Sequence, residues 1–175
     1  GSFVPIDKND VLGFAIATQN LQASGGTGVM SNQTLIDTTV ISEYTPSGNE
    51  KLTKLIFKAG TLDYSINMDF REDVVIDIAM PYLSLNGGSY SEQINLNYSG
   101  SVPISHTGSV DLEGYELDLS AGGTTSNSIS CHYVVQVVSS GNSTSFYSTD
   151  NFSFSSSISN LEFQYLEGYL GQFEF

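Results

Sequence analysis

From Thr61 to Phe70 the chain alternates without a break, Leu62, Tyr64, Ile66, Met68 and Phe70 against Thr61, Asp63, Ser65, Asn67 and Asp69. A period of two sends successive side chains to opposite faces of an extended backbone. The segment therefore reads as a half-buried strand and excludes an amphipathic helix, whose apolar stripe recurs every three or four residues. After the polar corner Arg71-Glu72-Asp73 the pattern resumes with Val74, Ile76, Ile78, Met80 and Tyr82 on one face. So short a connection joins antiparallel neighbours, because a parallel crossover needs a far longer one. Pro81 predicts the end of this second strand, or a sheet edge, since proline donates nothing to a ladder.

The alternation continues downstream. The turn Asn86-Gly87-Gly88 precedes Ile94, Leu96 and Tyr98 on one face. Val110 and Leu112 then share one phase, while Tyr115, Leu117 and Leu119 share the opposite one. Gly114 lies at the slip, which predicts a bulge or sharp bend at Glu113-Gly114. Ile129 to Val138, rich in β-branched residues, reads as a central strand, and Ser139 to Thr149 as a surface loop or hairpin tip. Phe152, Phe154 and Ile158, then Leu161, Phe163 and Tyr165, form two alternating pieces in different phase, joined near Ser159-Asn160.

These give seven strands over residues 61–175. Leu12 to Ile16, Leu35 to Tyr44 and Leu55 to Phe57 add two or three more to the same sheets, because residues 1–60 hold too little apolar material for a core of their own. The expectation is an all-β fold, one antiparallel β-sandwich domain over residues 1–175, immunoglobulin/fibronectin-III-like or jelly-roll-like, with about 9–10 strands.

Charge bears on partners. Nineteen Asp+Glu stand against five Lys+Arg, a net charge of -14. Nucleic acid is excluded as a general partner, because its binding rests on cationic side chains displacing counterions. No apolar run approaches the length of a spanning helix, and an anionic membrane surface is disfavoured by the same charge, so no direct membrane insertion is expected. Charged residues make up only 14% of the chain, so Ser, Thr, Asn and Gly must supply most of the polar surface, a texture common in extracellular β proteins. Cys131 is the one cysteine, so no intramolecular disulfide forms. Alternation puts it on the face of Ile129, Tyr133 and Val135 as a small buried hydrophobe. Gly1-Ser2 reads as a cloning remnant.

Few residues point to chemistry. Asp111, Glu113, Glu116 and Asp118 crowd one strand, and a bulge at Gly114 would return them to one face, where hard oxygen ligands suit Ca²⁺. The favoured reading is an edge strand kept charged against edge-to-edge pairing, so no cofactor is expected. Asp69, Glu72 and Asp73 around Arg71 read as a solvated hairpin tip. His106 and His132 fall in no metal-binding spacing, and no Gly-x-Ser-x-Gly elbow is present, so no catalytic residue is assigned. A glycosidase, which needs two well-placed carboxylates, ranks third. Tyr90, Tyr98, Tyr115 and Tyr147 lie in or beside expected loops, where phenol rings can stack on sugar faces, which makes a carbohydrate-binding module the alternative.

Three stretches, Leu85-Asn-Gly-Gly-Ser-Tyr-Ser-Glu, Gly108-Ser-Val-Asp-Leu-Glu-Gly-Tyr-Glu-Leu-Asp-Leu and Ser159-Asn-Leu-Glu-Phe-Gln-Tyr-Leu-Glu-Gly-Tyr-Leu-Gly-Gln, resemble β-sandwich segments of large Bacteroidota cell-envelope proteins and surface lipoproteins, over residues 61–172. The resemblance implies an exported module, extracellular or at the outer-membrane surface of a bacterium, cut from a longer protein, whose partner is a protein or a glycan. The lipid-bearing N-terminal Cys of such lipoproteins is missing. Asp37-Thr38-Thr39 resembles the short pattern on which those bacteria attach O-glycans. The expected function is a non-catalytic module with a structural or adhesive role, presenting loops such as 84–92, 121–127 and 139–149.

Overall fold

The structure, a computed structural model, describes residues 12–20, 25–43 and 49–169, the first of these as backbone alone. The expectations for Gly1-Ser2, for Tyr44 and for the last residues of the chain fall outside them. Among the described residues there are eleven strands and no helix. They are β1 (Leu12–Asn20), β2 (Gly26–Val29), β3 (Gln33–Glu43), β4 (Lys51–Met68), β5 (Asp73–Leu85), β6 (Gly88–Leu96), β7 (Ile104–Asp111), β8 (Glu116–Asp118), β9 (Ser128–Val138), β10 (Ser143–Phe146) and β11 (Asn151–Tyr169).

Nine of them make one antiparallel sheet, in the order β1-β11-β4-β8-β5-β9-β3, with β7 beside β4 and β6 beside β5. The long strand β4 organises it. One edge of β4 is lined by β11 along most of its length, and the other by β7 over Thr61–Met68 and by β8 over Lys54–Ile56. Because β8 also pairs with Leu83 and Ser84 of β5, it hinges two layers, β1-β11-β4-β7 and β3-β9-β5-β6. The layers face each other. Tyr133 of β9 has no ladder to β11, yet its ring stacks on Phe152 and Phe154 of β11 with centroids 5.7 and 6.3 Å away. The fold is all-β and antiparallel, a curled sheet packed on itself as a sandwich.

The inward residues of the alternating runs fill the space between layers: Leu62, Tyr64, Ile66 and Met68 of β4, Val74, Ile76, Ile78 and Met80 of β5, and Cys131, Tyr133 and Val135 of β9 are all buried. Burying this apolar surface is the main drive for closing the sheet. Tyr133 brings a cost with its ring, because its buried hydroxyl has no hydrogen-bond partner.

Local departures from the sequence pattern each have a physical reason. Pro81 does not end β5. It sits exposed within a register shift between Met80 and Ser84, where a missing N–H leaves no gap in the ladder, and the strand runs on to Leu85. The turn to β6 is then a tight one, with Leu85 opposite Gly88 and positive φ at both Asn86 and Gly87, the type I′ signature. At the Gly114 slip the chain makes a sharp bend. Tyr115 N–H donates to Leu112 C=O at 3.0 Å, Gly114 takes φ +77, and the chain resumes as β8 still following β4. At Ser159-Asn160 the phase change is a bulge inside the continuous strand β11. Residues 139–149 are more ordered than a loop, because β10 within them pairs with β2 as a separate two-stranded sheet.

Candidate functional site

The outward face of β11-β4-β7 carries an array that no single strand reveals. Antiparallel register lines up Ser155, Ser65 and Thr107 in one row across the strands, and Ser157, Asp63 and Ser109 in the next. Rows two residues apart along a strand lie on the same face, roughly 6.5–7 Å from each other, with neighbouring strands roughly 4.8 Å apart. Every side chain in these rows is short. The floor between them is the backbone of Ser156, Tyr64 and Gly108, whose side-chain positions point inward. The result is an open trough of about 560 Å³ lined by these residues. That volume falls among those of small-molecule sites, roughly 300–1,000 Å³.

The outward side chains of the two rows are polar and short. Ser65, Thr107, Ser109, Ser155 and Ser157 can each donate and accept, and Asp63 accepts only. None of them bonds to another described side chain, whereas in the flanking row Ser105 Oγ donates to Asn67 Oδ1 at 2.7 Å. Asp63 is the one carboxylate and the one charge among the lining residues. Tyr64 is the one aromatic among the described lining residues, and its ring turns inward to Glu92, so these residues offer hydrogen bonds without a stacking platform.

On the inward side of the same wall lies a second polar group. Tyr64 on β4 and Tyr90 on β6 both donate to the carboxylate of Glu92 on β6, Tyr64 at 2.8 Å to Oε1 and Tyr90 to Oε2. Burial first, and the hydrogen bond to Glu92 second, hold both phenols well above their ordinary pKa. Tyr64 reaches Glu92 by crossing Gly108 of β7. A Cβ there would stand 2.1 Å from Tyr64 Cζ, so only glycine fits beneath the ring.

The acidic corner after β4 differs from the solvated tip its sequence suggests. Glu72 is 2% exposed and Asp150 3%. Arg71 Nη1 lies 3.1 Å from Asp150 Oδ1, and its guanidinium stacks 4.6 Å above the Tyr147 ring. Asp150 Oδ2 also accepts from Tyr147 N–H at 2.8 Å. Glu72 accepts from Ser140 N–H at 3.0 Å and from Thr144 Oγ1 at 2.9 Å, which ties the β10 segment to the sandwich. A buried carboxylate needs such donors, and the folded-back segment supplies them.

The four tyrosines singled out by sequence are dispersed. Tyr90 is half-buried in β6 and engaged with Glu92. Tyr98 is half-buried, and its N–H donates to Asp73 Oδ1 at 2.7 Å. Tyr115 packs against the core beside the Gly114 bend. Tyr147 is 48% exposed beneath Arg71.

Of the four carboxylates considered for Ca²⁺, Glu113 is exposed at the Gly114 bend and the other three have separate partners. Asp111 accepts from Glu113 N–H at 3.0 Å, and Glu116 pairs with Lys54 at 2.7 Å. Asp118 accepts from Ser120 N–H at 2.7 Å and from Gly122 N–H at 3.2 Å. Burial alone would raise the Asp118 pKa, but these bonds, with Ser120 Oγ and Lys54, outweigh it and lower it. Among the described residues no three His, Cys, Asp or Glu side chains converge as a metal site would require. The His106 ring lies tilted against Tyr64 with centroids 6.0 Å apart, and His132 Nε2 lies 2.8 Å from Asp37 Oδ1 across β9 and β3. Cys131 is buried, and burial pushes its thiol up to about 11, far from a reactive thiolate. No helix among the described residues is long and apolar enough to cross a membrane. No family model matches the chain, and no curated protein matches it.

Proposed function

We propose that the chain is a non-catalytic surface module with an adhesive role, and that it holds a polyhydroxylated ligand, a glycan, in the trough on β11-β4-β7. The observation that carries this reading is the in-register array of outward hydroxyls around Asp63. Sugar hydroxyls are donors and acceptors at close spacing, and serine hydroxyls match them in either role. Asp63 then accepts from two adjacent hydroxyls, a bond strengthened by its charge.

Among the described trough residues Asp63 is the one carboxylate, and the binding reading uses it as an acceptor for ligand hydroxyls. Each exposed hydrogen bond replaces one to water and contributes little, and no ring among the described lining residues turns outward to add stacking. Affinity for one site is therefore weak, and adhesion relies on many copies acting together.

A glycan array followed by titration calorimetry tests the reading. Asp63→Ala and the pair Ser65→Ala with Ser157→Ala are expected to abolish binding, while Tyr147→Ala leaves it intact. Binding lost in Tyr147→Ala and kept in Asp63→Ala moves the site to the loop tyrosines. No binding to any glycan leaves a structural role alone.

A further inference from the structure

We propose that the seam between β6 and β7 is a gate, bolted by the Glu92 carboxylate, which opens without unfolding the sandwich and exposes the apolar chamber behind it. Among the described residues β6 pairs only with β5, and β7 only with β4, so the two strands meet as edges of opposite layers. No backbone ladder crosses between them. What crosses is the side chain of Tyr64, which leaves β4, passes over Gly108 of β7 and donates to Glu92 on β6. Tyr90 holds the other carboxylate oxygen, which fixes Glu92 in the accepting position.

Behind this bolt is a chamber lined by Leu62, Ile78, Met80, Cys131, Phe154 and Ser156, with Tyr64 and Tyr90 as its outer wall. It holds only about 10 Å³ of free space, close to the least that admits one water. In the closed state it takes no ligand, and separation of the edges enlarges it. Parting β6 from β7 breaks side-chain bonds at one carboxylate and leaves every strand in its ladder, so it is a local opening of the kind that precedes global unfolding.

Cys131 reports the opening, because it is among the residues that line the chamber and is buried. The test is its labelling by 5,5′-dithiobis(2-nitrobenzoate) in the intact protein, at fixed pH, as a function of urea. In the unaltered protein the rate is expected to stay flat at low urea, since little surface is exposed by the gate, and to rise steeply only in the unfolding transition. Glu92→Ala is expected to raise the low-urea rate at least tenfold while the far-UV spectrum stays unchanged. Tyr90→Phe keeps the ring and removes one bond, and is expected to give a smaller rise in the same direction. If labelling depends on urea as steeply as global unfolding throughout, or if both variants label at the rate of the unaltered protein, the gate does not exist.

Discussion

Two polar regions of this molecule share carboxylates and hydroxyls and play opposite roles. The corner around Arg71 combines Asp, Glu, Ser, Thr and Asn, and the trough around Asp63 combines Asp, Ser and Thr. In the corner every carboxylate considered, Asp69, Glu72, Asp73 and Asp150, accepts a named hydrogen bond, and two of them are buried. In the trough the hydroxyls and Asp63 face outward without partners among the described side chains. Polar groups that bond to their own chain hold it together, and those that do not are free for something else.

Breaking the corner should have the largest effect. Asp150→Ala removes the partner of Arg71 and the acceptor of Tyr147 N–H, leaving a cation half-covered by protein. The expected loss is about 3 kcal/mol of unfolding free energy, read from urea titrations. Little loss would mean that the corner is as dispensable as the trough.

A second break uses alkali. Tyr64 and Tyr90 have pKa values raised by burial and by Glu92, so the folded chain keeps them neutral where the unfolded chain ionises them. Their stabilisation is complete below the ordinary value of 10 and is lost as pH climbs above it toward the raised values. Unfolding midpoints should fall with pH above that point, and less steeply in the double variant Tyr64→Phe with Tyr90→Phe.

Tyr133→Phe sharpens the contrast from the other side, because its hydroxyl is buried yet bonded to nothing. Its removal should stabilise by about 1 kcal/mol in the same titration, since an unmet buried group is the costly kind. Ser155→Ala with Ser157→Ala should change stability by no more than about 0.5 kcal/mol, as expected where nothing in the fold depends on the side chain. A larger loss there would show that the trough hydroxyls are structural after all.

The contrast also explains what could be read from sequence. The alternation of Leu62 to Phe70 and of Val74 to Met80 gave away strands, faces and core, because a period of two is written within each strand. The Gly114 bend was legible for the same reason, as a change of phase. Strand partners are not local. Ser155, Ser65 and Thr107 are 90 and 42 residues apart in pairs, and only the ladder register makes them neighbours. The signal available was the row Ser153, Ser155, Ser157 and Ser159 alternating with Phe152, Phe154, Ser156 and Ile158, which marked an outward face but gave no hint of the strands beside it. The corner was misjudged because Asp150 lies 79 residues from Arg71, outside any window centred on that turn. Tyr90 and Glu92 sit two residues apart, yet Tyr64, which completes their cluster, comes from another strand.

The dependence of β4 on β11 sets the order in which the molecule can be assembled. A ribosome delivers Lys51–Met68 long before Asn151–Tyr169, and β1, earlier still, has β11 as its neighbour in the ladder. Between the synthesis of these two strands the most heavily shared strand is therefore missing its full-length partner, with one long edge of unpaired N–H and C=O groups open to any extended chain nearby. Contacts so distant in sequence predict slow closure, and a nascent chain that benefits from a holding chaperone until β11 emerges.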